Sequence, residues 1–510
     1  MKWAIVCILF LQTATVTLRY LCLAQNNGYR LPLNKRFFRY FAIVLLIETP
    51  ALVVSVFLRA GLFDRLILFL YAICVLLSLG ALTKSFRTKI VWTKRARATY
   101  FVSVTIPFVA TMTVTATATE SIALLTSVTI VLCQPVMFFF SVLPVTLVFE
   151  RKNKKFIQKA ERKLRASNAV TIGITGSFGK TGCKNILAAM LSKRFSVLAT
   201  EKNYNTPMGI ALSVEKMKGD EDFFIAEMGA KKQGDITELC DLVCPDYSIV
   251  TGVCPQHLTT FSSLHNVYLE KSVLPKRTKT ISVLNGDDPL TKKMYDELSG
   301  KKILVGKGGD AYAEDVKITE EGCSFRFHYR LNSAGEFRSI PLRTKLLGRH
   351  NVTNICLCAV LALQLGVMEE NIEEAVRTLR PVPHRLEYSY RNGIHILDDG
   401  YNGNVVGVKS AMEVLDAFSA RKIIVSQGIA EAGRRKKEIN EEIGETTARH
   451  ADVLIFCGPN RKDLVSGARK IGFTGEIYLY KDLPAVTKDL REIVKTGDVV
   501  LFQNDVPDTV

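Results

Sequence analysis

The chain has 510 residues, room for about three or four domains, and a formal net charge of +18 from 67 Lys and Arg against 49 Asp and Glu. The excess sits at one end: residues 1–165 carry 22 basic and 5 acidic residues (+17), and the remainder is close to neutral at +1. A nearly neutral body excludes the electrostatic footprint of a nucleic-acid binder, so no nucleic acid is expected as a partner, and twelve cysteines without a paired spacing give neither a disulfide framework nor a zinc ribbon.

In chain order, the first third is apolar. Five stretches, Trp3–Leu23, Phe41–Leu58, Leu66–Leu82, Tyr100–Ala118 and Ile122–Phe149, approach or exceed the roughly 20 residues of a spanning helix. Basic residues concentrate in the first loop (Arg30, Lys35, Arg36, Arg39), in the third (Lys84 to Arg97) and after residue 150. The positive-inside rule then predicts an all-α transmembrane region over 1–150, with about five spans and an external N-terminus. It implies a multi-pass protein of the cell membrane with cytoplasmic catalytic domains and the lipid bilayer as a partner. The rival arrangement is a buried helical bundle. Residues 151–168 read as a basic juxtamembrane helix on the inner leaflet or as a solvated linker.

From Ala169 onward, short apolar strands alternate with amphipathic helices: Val170–Ile174, Phe223–Ala226, Ser248–Thr251, Thr280–Leu284 and Lys302–Val305. That alternation predicts an α/β fold with a mostly parallel sheet. Residues 311–345 read as a β-meander, with strands Asp315–Ile318, Cys323–Tyr329 and Arg338–Leu342. Helical patterns return at Val352–Leu365 and Ile372–Leu379. After Pro381-Val382-Pro383 a second α/β alternation has strands Ile394–Leu397, Lys422–Ser426, Val453–Phe456, Glu476–Leu479 and Val499–Phe502. The predicted domains beyond 1–150 and the 151–168 linker are 169–383 and 384–510.

The chemistry starts at Thr175-Gly176-Ser177-Phe178-Gly179-Lys180-Thr181, a glycine-bearing loop between the first strand and the helical run Asn185–Leu191. In that context backbone N–H groups, including those of Gly176, Ser177 and Gly179, can wrap phosphate oxygens. Lys180 can neutralise the outer phosphates, and the Thr181 hydroxyl can hold Mg²⁺. Glu227 ends a strand beside this loop, where a carboxylate can bind Mg²⁺. Taken singly, a strand-end Glu is more often a cap, a lone His such as His257 is usually structural, and a helical Lys such as Lys271 is nearly always solvated.

Their order changes those odds. The motifs continue with Asn203-Tyr204-Asn205, Ala226-Glu227-Met228-Gly229-Ala230, His257-Leu258, Lys271 and Val283-Leu284-Asn285-Gly286-Asp287-Asp288. They close with Gly348-Arg349-His350-Asn351-Val352-Thr353-Asn354, Pro383-His384-Arg385-Leu386-Glu387 and Asp398-Asp399-Gly400-Tyr401-Asn402-Gly403-Asn404. Over 169–510 the chain resembles the Mur ligases, ATP-dependent amino acid ligases of peptidoglycan synthesis, and within them the D-alanyl-D-alanine-adding members. The resemblance implies a P-loop central domain and a Rossmann-like α/β C-terminal domain, with ATP and Mg²⁺ as cofactors and an acyl-phosphate intermediate. It implies that Glu227 and His257 are metal ligands and that Lys271 is a carbamylated lysine beside the metal. Asn285 and Asn354 would contact adenine, Asp399 the ATP ribose, and Arg385 would sit on the interdomain connector. Asn203 and Asn205 would face the acidic substrate, and Tyr401, Asn402 and Asn404 the ATP and incoming-amine side. The implied substrates are a UDP- or lipid-linked peptidoglycan precursor and an amino acid or dipeptide.

Two departures bear on the substrates. The apolar region stands where soluble members have a UDP-binding domain, which allows a lipid-linked acid. Gln503-Asn504-Asp505 replaces the Lys-Gly-Ser usual in D-alanyl-D-alanine-adding members. Other readings remain: a poly-γ-glutamate-type synthetase, a lipid II-amidating ligase (which tends to carry a four-cysteine zinc insertion not found here), and an inactive ligase body acting as a membrane scaffold. The basic segment Gly428–Lys437 could receive an acidic group or form a solvated face.

Overall fold

The computed structural model describes residues 2–26, 28–29, 90–117, 120–256, 258–332, 335–400, 405–429 and 435–503. The chain forms two compact units, one over residues 1–155 and the other from 156 to 508. In the first, helices α1 (Lys2–Asn26), α2 (Lys94–Thr117) and α3 (Glu120–Ala166, which continues into the second unit) supply a small core. Tyr20, Leu21, Ala24, Ala96, Phe138 and Val142 are buried there. In α2, Thr105, Thr111 and Thr113 each donate a hydroxyl hydrogen bond to the carbonyl four residues back. This satisfies the side chains within the helix's own backbone.

These helices correct the membrane reading. Of the five expected spans, Phe41–Leu58 and Leu66–Leu82 lie outside the described residues. Among the described residues one helix, α2, is long and apolar enough to cross a membrane, and a third of its most apolar stretch is buried. A multi-pass placement in the cell membrane, with a five-span region and a lipid partner, therefore does not stand. The physical reason is that apolar residues at helical spacing also make a bundle core, and Tyr20, Leu21, Phe138 and Val142 are spent that way. The basic segment after residue 150 is the end of α3. Lys159 Nζ lies 2.9 Å from Glu215 Oε1, Lys163 Nζ donates to Glu215 O at 2.7 Å, and Arg165 Nη2 donates to Asp241 O at 3.2 Å. Ala160 and Leu164 are buried in the core beside them. Protein acceptors meet the charges of Lys159, Lys163 and Arg165.

The second unit holds two sheets. The first has nine strands in the order β2-β3-β1-β4-β5-β6-β7-β8-β9. Its parallel part is β1 (Val170–Thr175), β2 (Val197–Ala199), β3 (Phe223–Glu227), β4 (Tyr247–Val250), β5 (Ile281–Asn285) and β6 (Lys302–Val305). The meander β7 (Ala311–Thr319), β8 (Gly322–Tyr329) and β9 (Arg338–Thr344) extends it: β7 pairs with β6 in parallel, and the β7–β8 and β8–β9 pairs are antiparallel. Both faces of the parallel part are covered, which is why its strands read as continuous apolar runs. One face is packed by α4 (Lys180–Leu191), α10 (Arg349–Gln364) and α11 (Glu369–Thr378). The other is packed by α5 (Pro207–Glu215), α6 (Asp235–Val243), α8 (Leu264–Arg277) and α9 (Pro289–Glu297), with the one-turn α7 (Leu258–Phe261) leading into α8.

The second sheet has six strands in the order β10-β11-β15-β12-β13-β14. They are β10 (Glu387–Arg391), β11 (Ile394–Asp399), β12 (Lys422–Ser426), β13 (Val453–Phe456), β14 (Glu476–Leu479) and β15 (Val499–Gln503). Helices α12 (Val405–Asp416), α13 (Lys436–Ala448) and α14 (Arg461–Lys470) cover one face, and α15 (Leu483–Ile493) packs on the other. All but the β10–β11 pair are parallel. Each sheet thus gathers its strand C-termini along one edge, where α/β folds bind ligands.

Candidate active site

At that edge of the first sheet, β1 lies between β3 and β4, with Gly173 opposite both Ala226 and Ser248. The loop after β1 is tied to the end of β4. Ser177 N donates to Gly252 O at 2.8 Å, Ser177 Oγ to Cys254 O at 3.1 Å, and Thr251 Oγ1 to Phe178 O. Two glycines make this approach possible. Gly176 (φ 148°) has no room for a Cβ, which would lie 1.9 Å from Thr251 Oγ1, and a Cβ on Gly252 (φ 153°) would meet the Phe178 ring at 2.2 Å. Gly179 then turns the chain into α4 in a left-handed conformation, and no side chain caps the helix. Its first N–H groups are left for an anion, the arrangement that binds phosphate.

Lys180 folds over this loop, its Nζ donating to Gly176 O at 2.7 Å. Burial lowers its pKa; the charge of Glu227 opposes that shift and Arg385 adds to it. Thr181 is buried beside it. Glu227, at the end of β3, is 1% exposed. Asn205 Nδ2 donates to its Oε1 at 3.1 Å, and Lys184 Nζ lies 3.3 Å from its Oε2. Sequence reasoning missed Lys184. It lies four residues after Lys180 and so on the same face of α4, and its ammonium also donates to Lys202 O. Burial lowers its pKa, and Glu227 opposes the shift.

Lys271, on α8, is 2% exposed. Burial, then the charge of Lys180, pulls its pKa down to about 7, against the opposing pull of Glu270 and Asp235. Lys180 is therefore within electrostatic reach of both Lys271 and Glu227. Glu270, the preceding residue, accepts from Gly234 N at 2.8 Å and Ile236 N at 2.6 Å, clamping the start of α6. His257 lies outside the described residues, as do Tyr401, Asn402 and Asn404. Asn203 is exposed on the loop before α5, whereas Asn205 turns in to Glu227.

A cleft lies between the loop and the second sheet, lined by Phe178, Gly179, His350, Asn354, Arg385 and Asp399. Asn354, on α10, is buried against the loop, its Oδ1 3.3 Å from Cys183 Sγ. Asn285 stands apart from the cleft lining. Its Nδ2 donates to Thr251 O at 2.8 Å and its Oδ1 accepts from Asp287 N at 3.0 Å, so its amide holds the ends of β4 and β5. The connector carrying Arg385 is fixed by His384 Nδ1, 2.7 Å from Asp398 Oδ2. Burial pushes the Asp399 carboxyl up to about 7, with the charge of Arg385 opposing. His350, quoted in a motif but given no role, lies 2.7 Å (Nδ1) from Ser410 Oγ, and burial takes its pKa down to about 4.

The arrangement is an anion-binding loop with a lysine, a buried carboxylate edged by cations, and an adjoining cleft lined by the Asp399 carboxyl group. Residues 174–362 match the Mur ligase middle domain, and residues 384–503 match the Mur ligase glutamate ligase domain. The chain is 26% identical over 352 residues to the UDP-N-acetylmuramoyl-tripeptide–D-alanyl-D-alanine ligase of Bacillus subtilis, covering 68% of this chain and 75% of that one. It is 30% identical over 313 residues to the same ligase of Mycobacterium bovis, covering 59% and 60%. A crystal structure of MurF ligase from Thermotoga maritima in complex with ADP superposes with a TM-score of 0.60 at 29% identity, covering 69% of this chain and 80% of that one. The chain belongs to the Mur ligase family, whose middle and C-terminal domains it carries in order, and it is an ATP-dependent amide-forming ligase.

Proposed function

We propose that this ligase joins the carboxyl group of a UDP-linked muramoyl peptide to the amino group of D-alanyl-D-alanine in peptidoglycan synthesis. The observation that carries the reading is the grouping of Lys180, Glu227 and Lys184 at the mouth of an uncapped helix, with Lys271 in the field of Lys180. The relatives named above carry that activity in their names. Residues 169–383 would form the nucleotide-binding domain and 384–510 the domain that closes on it.

The residues fit a divalent cation. The Thr181 hydroxyl and the Glu227 carboxylate are hard oxygen donors, both buried, at the C-terminal edge of parallel strands. They would hold Mg²⁺, with His257 as a further ligand. When bound, ATP and Mg²⁺ supply a transferable γ-phosphoryl group, which makes the substrate carboxylate reactive toward an amine. Lys180 would offset charge on the outer phosphates, and the N–H groups of Gly179 and its neighbours would orient them. Asp399 and Asn354 would fix the nucleoside side, and Arg385 would sit over the cleft. Asn205 and Lys184 hold Glu227 in place. Lys271 suits carbamylation: with its pKa near 7, much of the amine is neutral at physiological pH and able to add carbon dioxide. The product is an anion, which replaces a cation–cation encounter with Lys180 by an attraction.

The test is phosphate release by the purified chain with ATP, Mg²⁺ and UDP-N-acetylmuramoyl-tripeptide, against D-alanyl-D-alanine, glutamate and ammonia as amines. Turnover dependent on the dipeptide supports the proposal. Turnover with glutamate alone replaces it with the poly-γ-glutamate-type reading, and none with any amine ends it.

The lysine gives a prediction about pH. Its folded pKa of about 7 lies below its ordinary value of 10.5. Below pH 7 the buried charge is fully borne by the folded state, and the cost is relieved as pH rises from 7 toward 10.5. Lys271→Met should therefore melt higher than the wild type at pH 6 in bicarbonate-free buffer, by about 2 °C or more. The gain should shrink at pH 9. An equal gain at both pH values would show that the amine is not depressed.

A further inference from the structure

Cys183 closes the first turn of α4, its N–H donating to Gly179 O at 2.8 Å, and its side chain is fully buried. The thiol donates to Asn354 Oδ1 on α10 at 3.3 Å. Cys358, one turn after Asn354, returns the contact: its thiol donates to Cys183 O at 3.2 Å. Two glycines complete the seat of the amide. A Cβ on Gly179 would lie 2.8 Å from Asn354 Oδ1, and one on Gly182 would lie 3.3 Å from Nδ2. Asn354 is 4% exposed and lines the cleft that Asp399 also lines. Its Nδ2 has no protein acceptor among the described residues and is not sealed off. A side-chain amide turned by 180° exchanges oxygen and nitrogen with little change of shape, so a neighbouring donor decides which atom faces out. Among the described residues, the donor to Oδ1 is the Cys183 thiol.

We propose that Cys183 is a positioning residue for the nucleotide: its thiol keeps Asn354 Oδ1 turned inward and presents Nδ2 to the cleft. The proposal rests on the reading above in which Asn354 fixes the nucleoside side, and it names what that amide selects. Nδ2 offers two N–H donors and no acceptor, so it pairs with an acceptor and repels a donor. The acceptors of an adenine ring are its ring nitrogens, and its exocyclic amine is a donor. Held this way, the amide reads a ring nitrogen rather than the amine. Without the thiol both orientations of the amide are open. One leaves Oδ1 buried and unpaired, and the other sets Oδ1 against the ring nitrogen, acceptor to acceptor.

The experiment is calorimetric binding of ADP by the full chain, against 1-deaza-, 3-deaza- and 7-deaza-ADP, each of which lacks one ring-nitrogen acceptor. Cys183→Ala and Cys183→Val remove the donor, the second with less loss of volume, and Cys183→Ser keeps one. The wild type should bind at least one analogue about 3–10-fold more weakly than ADP, the range for one neutral hydrogen bond. In the alanine and valine variants, affinity for ADP should fall by about that factor while affinity for the disfavoured analogue holds. The ratio then approaches one, and Cys183→Ser should restore it. Three outcomes overturn the proposal and leave the placement of Asn354 intact: a ratio that survives loss of the thiol for every analogue, an equal weakening toward ADP and all analogues, or a serine variant that behaves like alanine. Wild type that binds ADP and disfavours no analogue overturns the placement of Asn354 as well. Wild type that binds no ADP ends the nucleotide reading of the cleft.

Discussion

Lys180→Ala should release phosphate at least about 10³-fold more slowly than the wild type under saturating ATP, with the fold unchanged by circular dichroism and thermal melting. The ammonium lies over the loop, 2.7 Å from Gly176 O, next to the uncapped start of α4. Burial there lowers its pKa, so its charge is poorly solvated by water and acts strongly on any nearby anion. A phosphoryl group in transfer gathers charge on its peripheral oxygens, so a fixed cation at that place favours the transition state over the bound nucleotide. The loss should therefore appear mainly in kcat, with a smaller rise in the KM for ATP. Lys180→Arg should recover little, because the short loop fixes the reach of the charge. A kcat within tenfold of wild type for the alanine variant would remove Lys180 from the chemistry.

Lys184→Met should lower the free energy of unfolding by about 3–5 kcal/mol, measured by denaturant titration. Lys184 and Glu227 have side chains only 2% exposed, and their charges lie 3.3 Å apart. Removing the lysine leaves a buried carboxylate with Asn205 as its remaining close partner, and it strips a donor from Lys202 O. The cost is that of an uncompensated buried charge, which exceeds the net worth of the pair itself. Glu227→Gln added to Lys184→Met should therefore recover much of the lost stability while leaving activity abolished. A single-variant loss under 1 kcal/mol, or a double variant no better than the single one, would show that the pair does not carry the strain assigned to it.

The central strands were legible because burial on both faces turns them into short apolar runs. Lys302–Val305, Lys422–Ser426 and Val453–Phe456 have the bounds expected from sequence, as does the half-exposed edge strand Glu476–Leu479. Two strands were not. Val197–Ala199 is three residues long and half-buried, too short for any periodicity, and Glu387–Arg391 is a polar, half-exposed edge strand. Helix α4 begins at Lys180 rather than Asn185, because its first turn contains a glycine and belongs equally to the phosphate loop. Lys184 was illegible for a different reason. A lone lysine in a helix reads as solvated, and its burial depends on a carboxylate 43 residues away. Asn285 was legible as a position, but its amide is spent on the backbone of Thr251 and Asp287. In the basic run after residue 150, charge composition alone does not tell a lipid headgroup from a protein acceptor such as Glu215, which Lys159 meets.

Glu270 grips two amides of the neighbouring helix, and Lys271 follows it directly in the chain. A gain or loss of a carboxyl adduct at that amine thus alters the sign of the charge on an already rigid support. The carbamylation proposed for Lys271 would then need no segment to reorder, because the ordering cost of its support is met during folding.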